Sequence, residues 1–324
     1  MESQKGHKKF QTAILFLEYG ARPIELSNDM KVPSSFRSFL DRISKKFASL
    51  RILSVPRHYI SHDIAKGNEK VPIPVIGNIL GDSFPLDFEY TPYACSCLNF
   101  CQSGCPCISR SIYNANGRLS DEVIALADTS NLGVIIECNS SCFCSSSCKS
   151  KIAQRGIRHR LEIFRSSKYG WAVRSAVPIS KGDFICEYTG ELISNEEADR
   201  REVDTYLFEI VENSIIYCID ARNKGNVARF VNHSCDANLL VLKVVWDANV
   251  RHFPHICFFA KRDIQKAMFI TITILQGEEL TIDYGRQWWD VKRKYFSCLC
   301  GSSACRYRET LSDQESNQNL IFPY

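Results

Sequence analysis

Nine cysteines lie between Cys95 and Cys148, spaced C-x-C-x3-C-x3-C-x-C (Cys95, Cys97, Cys101, Cys105, Cys107) and then C-x3-C-x-C-x3-C (Cys138, Cys142, Cys144, Cys148). Disulfides use thiols in pairs, and C-x-C neighbours in extended chain point their Cβ atoms apart, so a disulfide scaffold is the weaker alternative. Tetrahedral zinc takes four ligands. Three zinc ions need twelve bonds, and nine thiolates supply them if three of the nine each bridge two metals. The odd count therefore fits a bridged metal cluster.

The remaining bounds agree. The chain has 324 residues, 45% of them hydrophobic, enough for one large or two modest domains. At the start, the apolar run Ala13 to Leu17 is stopped by Glu18, too short for a signal peptide or a membrane span. Thiols in a chain that is not exported stay reduced, which again favours metal. A net charge of +4 without a long basic tract argues neither for nor strongly against nucleic acid, and no strong direct site for it is evident. From Asp183 to Asp220 there are eleven Asp/Glu against two Lys/Arg. That stretch is either a surface that steers a basic partner or a solvated helix face.

The sequence divides into five segments. Residues 1–52 contain Phe36, Phe39, Leu40, Ile43, Phe47 and Leu50 at helical spacing behind Ser34 or Ser35, which predicts a packing helix. Residues 53–160 hold the cysteine array among Pro, Gly and Asn, so metal must replace apolar burial over much of that region. Residues 161–285 carry short β-branched and aromatic runs (LEIFRS, WAVRSAV, DFICEYTG, YLFEIV, IIYCIDA, VLKVVW, ICFFAK) and one acidic helix over about 195–203, a β-rich α+β pattern. Residues 286–306 contain C-L-C-x4-C (Cys298, Cys300, Cys305), and 307–324 form a polar tail. Three thiols want a fourth ligand. Cys235 is the candidate, although Cys186, Cys218 and Cys257 are also spare.

With the cysteine array, KYGWAV (168–173), EYTGE (187–191), YLFEI (206–210), RFVNHSC (229–235), ELTIDYG (279–285) and CLCGSSAC together, the chain resembles the SET-domain protein lysine methyltransferases. It is similar in particular to the suppressor-of-variegation class acting on lysine 9 of histone H3, in a short form without additional reader domains. The likeness covers about residues 55–306. It implies a SET-domain fold of several small curved sheets with a pseudoknot, in which NHSC passes beneath DYG. A triangular three-zinc pre-SET cluster precedes it, and a post-SET tail follows that binds one further zinc through Cys235, Cys298, Cys300 and Cys305.

The resemblance also assigns residues. It places S-adenosylmethionine against Tyr169, Gly170, Trp171, Thr205, Tyr206, Arg229, Phe230, Asn232 and His233, with Trp288 and Leu299 over the adenine. Tyr284 is implied as the catalytic tyrosine with Tyr206 and Tyr188 beside it, and Phe208 and Ile282 as channel-lining residues. The chemistry explains the choice. Methyl transfer from a sulfonium to an amine is an in-line displacement governed by alignment. A dry aromatic channel disfavours the lysine ammonium, and tyrosine hydroxyls can orient the free amine. No activating base is evident in the motifs.

Three departures from the family pattern stand out. Ala172 replaces the second glycine of a G-W-G turn, a change that matters only if that position needs positive φ. Ile282 replaces the aromatic usual before DYG, which leaves mono-, di- and trimethylation open. KAMFITITILQ (266–276) is inserted between RDIQ and GEEL. It extends a hairpin, binds a partner or reflects a mispredicted gene product, and a displaced DYG would leave the chain inactive. The primary reading is a zinc-containing nuclear, chromatin-associated methyltransferase acting on a histone H3 tail or nucleosome, recruited by chromatin partners and without a membrane. A catalytically inactive chromatin scaffold and a methyltransferase for a non-histone protein are the alternatives.

Overall fold

The computed structural model describes residues 94–308, except 102–103, 106, 108–111, 130–131, 140, 167–169, 176, 202, 213–214, 247–253, 266–267, 271–272 and 276–277. Upstream it describes Asn78 and the backbone of four short strands, Leu15–Leu17, His58–Ile60, Ile73–Pro74 and Ile79–Leu80. The helix expected behind Ser34 or Ser35 and the tail beyond 308 lie outside the described residues.

In chain order the strands around the site are β1 (Leu161–Ser166), β2 (Gly170–Ser175), β3 (Phe184–Tyr188), β4 (Glu191–Ser194), β5 (Leu207–Glu212), β6 (Ile215–Asp220), β7 (Asn232–His233), β8 (Leu239–Val245), β9 (His255–Ala260) and β10 (Thr281–Ile282). The helices are α1 (Asp121–Asp128), α2 (Asn195–Arg200) and α3 (Arg286–Lys292). The seven apolar runs read as strands fall on β1, β2, β3, β5, β6, β8 and β9. The acidic helix ends at Arg200, three residues earlier than expected. Its start is fixed by Ser194, whose hydroxyl accepts from Glu197 N at 3.3 Å in an S-x-x-E cap.

Three four-stranded sheets result. In the first, β1 pairs antiparallel with β2 and is flanked by His58–Ile60 and Leu15–Leu17. The second runs β5, β6, β4 and then Ile79–Leu80, which leaves β5 at its edge. The third runs Ile135–Ile136, β8, β9 and β3. Alternation along β9 explains why this third sheet lies between two cores. Ile256, Phe258 and Ala260 enter the main core, while Cys257 and Phe259 enter a second one with Leu240, Leu242 and Val244. Phe258 and Phe259 are fully buried on opposite faces, each contributing about 1.5–3 kcal/mol. The second core also takes in Leu119, Val123, Ile124 and Ile152. The cysteine-rich region is thus docked by apolar burial, a contribution its punctuated sequence did not suggest.

A parallel contact far apart in sequence closes the fold. β7 pairs with β10, Asn232 opposite Thr281 and His233 opposite Ile282, and Ser234 N donates to Ile282 O at 3.0 Å. This knots RFVNHSC beneath the DYG loop. Gly190 permits another close approach, because a Cβ there would lie 2.4 Å from Asp220 O.

Positive φ falls on Gly170 (81°), whereas Ala172 is an ordinary, fully buried strand residue. The 266–276 insertion contributes a hairpin, Met268–Ile270 against Thr273–Leu275, between the bridges Ile179–Ile264 and Arg174–Glu279. The chain therefore returns in register before DYG. No helix among the described residues is long and apolar enough to cross a membrane.

Candidate active site

The knot brings RFVNHSC, DYG and α3 together. His233 is buried, its Nδ1 accepts from Tyr284 N at 3.1 Å, and its Nε2 lies 3.0 Å from Trp289 Nε1 and 3.3 Å from Cys235 Sγ. A neutral imidazole has one acceptor nitrogen, so it satisfies only one of those two N–H donors at a time. Burial holds His233 neutral by pushing its pKa down to about 4, against the pull of Asp283 and with Arg306 adding to the depression. Asn232 Nδ2 donates to Trp171 O and Glu279 Oε1, both at 2.9 Å, tying β7 to β2 and to the start of ELTIDYG.

The tyrosines converge on the same place. Tyr188 donates its hydroxyl proton to Tyr206 O at 2.8 Å, and Tyr284 donates to Val231 O at 3.1 Å. Burial is the main reason that both phenols are held well above their usual pKa; Tyr284 adds to the shift at Tyr188, and Glu279 and Tyr206 add to that at Tyr284. Both are therefore neutral and donate to carbonyls, which leaves only oxygen lone pairs to meet a third group. Phe208 packs on Tyr188 with centroids 5.2 Å apart, and Ile282 is buried in the same core. Trp171, Tyr206, Phe208, Phe230 and Tyr284 all pack partly buried against it. The Arg229 guanidinium lies 3.8 Å over the Tyr206 ring and 5.1 Å from that of Phe230, and its buried Nε has no hydrogen-bond partner. Thr205 is exposed in the turn before β5, and Tyr169 lies outside the described residues. Trp288 is half-buried, 4.8 Å from the Tyr284 ring.

The aromatic surface and the unpartnered buried Nε of Arg229 suit an adenosyl amino acid, whose adenine can stack on rings and whose zwitterionic end carries a carboxylate. On this criterion the residues fit S-adenosylmethionine.

The cysteines form two groups. Cys235, Cys298, Cys300 and Cys305 have all their sulfurs within 4.8 Å of one another, whereas Cys186, Cys218 and Cys257 are buried apart from them. Leu299, between two of these thiols, is 45% exposed. Upstream, three four-thiol sets meet the same distance: Cys95, Cys97, Cys101, Cys105; Cys95, Cys107, Cys138, Cys142; and Cys95, Cys101, Cys138, Cys144. Cys148 faces Cys101 and Cys144. Exchanging Cys148 for Cys95 in the third set makes Cys95, Cys101 and Cys138 the three shared thiolates that the sequence arithmetic requires. Burial first, and neighbouring thiols second, push the Cys101 and Cys107 thiols up, and burial also raises Cys138. Thiolates crowded this way need cations among them, and the all-sulfur donor sets fit zinc.

Several groups that position the site carry no motif of their own. Trp289 stacks on Tyr307 and meets His233 edge-on, and Arg306 pairs with Asp283 while its N donates to Cys235 Sγ. Lys292 on α3 bonds Asp204, beside Thr205, at 2.6 Å. The doubled tryptophan of RQWWD was the available signal for Trp289; the ion pairs offered none. Several acids of the stretch are paired, chiefly from outside it: Arg201 bonds Glu197 and Asp220, while Arg118 pairs with Asp183, Lys224 with Glu191, Lys243 with Glu212 and Lys292 with Asp204. The steering surface considered from composition is accordingly weaker than the charge count suggests.

Residues 170–285 match the SET domain family. Mouse histone-lysine N-methyltransferase EHMT1 is 38% identical over 289 residues, 80% of this chain and 21% of that protein. The H3 lysine-9 specific SUVH5 of Arabidopsis thaliana is 35% identical over 269 residues, 76% of this chain and 32% of that protein. The structure of Arabidopsis thaliana SUVH6 in complex with SAM superposes with a TM-score of 0.61 at 30% identity, covering 81% of this chain and 54% of that one. This chain thus spans about a fifth to a third of the length of these two curated relatives. A solved structure described as the structural basis for the product specificity of histone lysine methyltransferases superposes with a TM-score of 0.59 at 30% identity, covering 73% of this chain and 93% of that one. With the knotted β7–β10 pairing and the two thiol groups, these likenesses show that the chain belongs to the SET-domain histone-lysine methyltransferase family, in its suppressor-of-variegation class.

Proposed function

We propose that this chain transfers a methyl group to the side-chain amine of a histone-tail lysine, and that the lysine is residue 9 of histone H3. S-adenosylmethionine supplies the electrophilic methyl when bound. The observation that carries the reading is the pair of hydroxyls at Tyr188 and Tyr284, both committed as donors to backbone carbonyls. Their oxygens can only accept, so they suit the N–H groups of an uncharged amine and would turn its lone pair away from themselves. Phe208 and the rings around it strip water from the amine, which favours the neutral nucleophile. The ammonium gives up its proton to solvent before attack, and alignment then supplies most of the rate, with no activating base evident among the motif residues.

Trp171, Tyr206, Arg229, Phe230, Asn232 and His233 hold the cofactor in this reading, joined by Tyr169, Gly170 and Thr205. Trp288 and Leu299 cover its adenine, so the tail thiol site completes the pocket. The peptide adds as a strand along β5, the edge of its sheet, where Phe208 faces the core and Glu209 faces solvent. Lysine 9 of H3 is supported by the resemblance to the suppressor-of-variegation class and by the specificity in the name of SUVH5. A nuclear, chromatin-associated location follows from that substrate. An inactive scaffold finds less support, because the inserted hairpin leaves Tyr284 bonded to His233 and Val231.

Mass spectrometry of nucleosomes and H3 peptides incubated with labelled cofactor tests the proposal. Label at lysine 9 from the parent, and at least tenfold less from Tyr284→Phe, is expected. Equal labelling by the two would remove Tyr284 from the mechanism, and absence of label with the parent would favour the scaffold.

A further inference from the structure

Lys151 is a buried cation without an evident reason to be there. Only 9% of it is exposed, its ammonium makes one hydrogen bond, to Cys144 O at 3.3 Å, and among the described residues no carboxylate pairs with it. Burying a charge with one neutral acceptor is costly unless an opposite charge lies close. Arg155, partly buried, lies between the Glu137 carboxylate and the Cys148 thiol, both of which favour its charge. Its Nη2 donates to Cys148 O at 2.5 Å, while its buried Nε has no partner. Between them Gln154 Nε2 donates to Cys138 O at 2.7 Å. Residues 151–155 therefore wrap the cysteine cluster and cap the carbonyls of three of its thiol residues.

The anion they face is the cluster itself. Nine thiolates and three zinc dications leave a net charge of about −3, a large charge to bury without compensation. We propose that Lys151 and Arg155 form a cationic strap that supplies the countercharge of the nine-thiolate zinc cluster and so sets how tightly its metal is held. Both act as positioning residues, through charge and carbonyl capping, and neither is a metal ligand. Partners of metal ligands commonly change metal retention by 10- to 100-fold when lost, without altering the ligand set.

The inference rests on the zinc reading of the nine cysteines, and the test separates the two. The full chain, purified with zinc, is mixed with the chromogenic chelator 4-(2-pyridylazo)resorcinol. Metal release is followed for the parent, Lys151→Met, which keeps the stem and removes the charge, and Lys151→Arg, which keeps the charge. Release from the cluster should be about tenfold or more faster in Lys151→Met and near parental in Lys151→Arg. The zinc held by Cys235, Cys298, Cys300 and Cys305, which the strap does not touch, should leave at one rate throughout. If Lys151→Met does not fold, Arg155→Met, at a less buried position, carries the same expectation. A parent without zinc would overturn the metal reading itself. A zinc-loaded parent whose charge-removed variant releases metal at the parental rate, or Lys151→Arg releasing as fast as Lys151→Met, would overturn the strap alone.

Discussion

Glu137 is the residue whose replacement should most clearly uncouple the cysteine-rich region from the strands behind it. Its backbone N–H donates to Val245 O at 2.9 Å at the end of β8, and its side chain is almost fully buried. Oε1 accepts from Tyr113 OH at 2.6 Å, Ile152 N at 3.0 Å and Ala153 N at 2.8 Å; Oε2 accepts from Gln154 N at 3.4 Å and Gln154 Nε2 at 3.0 Å. One carboxylate thus collects the free donors at the start of the turn Ala153–Arg155, just beyond the cysteines. In Glu137→Gln the new amide can keep its oxygen toward the three donors, but its NH2 then faces two donors from Gln154. Turning the Gln154 amide over gives no relief, because its oxygen would then meet Cys138 O, to which Nε2 now donates. Two hydrogen bonds to a charged acceptor, at about 1.5–3 kcal/mol each, are lost, and the other three lose their charge assistance. A destabilisation of about 3–5 kcal/mol follows. In urea unfolding of the zinc-loaded protein, followed by circular dichroism and tryptophan fluorescence, the midpoint should fall by roughly 1–2 M. A midpoint that moves by less than about 0.3 M would show that the carboxylate is not what joins the two regions.

Three further outcomes are expected. Gly190→Ala places a Cβ 2.4 Å from Asp220 O and 2.7 Å from its carbon, both backbone atoms that cannot swing aside, so the melting temperature should fall by several degrees; an unchanged melting curve would contradict the packing at that bend. Cys235→Ser should lower the zinc content by one per chain in elemental analysis and raise the KM for S-adenosylmethionine, with cluster zinc unaffected; full zinc content would mean that the tail site closes without it. Tyr188→Phe keeps the ring against Phe208 and loses the accepting oxygen, so kcat should fall by roughly 10- to 100-fold with little change in cofactor KM, and a kcat equal to the parent's would remove that hydroxyl from the alignment argument.

Local pattern and cysteine arithmetic carried far in this chain because they are short-range signals. Runs such as IIYCIDA and ICFFAK specify strands through alternation and β-branching, and nine thiols specify shared ligands by count alone. The cysteines that share an ion are a different matter: Cys101 meets Cys138 at 3.3 Å across a long intervening segment, and nothing in the spacing pairs them. Long-range polar partners were likewise illegible. Glu137, Arg306 and Lys292 are ordinary charged residues until the fold brings Gln154, Asp283 and Asp204 to them.

The same distinction separates what the motif letters convey from what the geometry adds. RFVNHSC and DYG name the residues, but they do not say that Tyr284 hangs on His233 through its own backbone N–H, or that His233 lies against both Trp289 and a tail-site thiol. Those contacts make Cys235 at once a thiol of the tail site and part of the wall behind Tyr284. Metal at Cys235, Cys298, Cys300 and Cys305 would therefore brace the imidazole that positions Tyr284, in addition to the role proposed for it in placing Leu299 over the cofactor. Loss of that single zinc should then lower kcat as well as weaken cofactor binding, whereas a site that only covered the adenine would change KM alone.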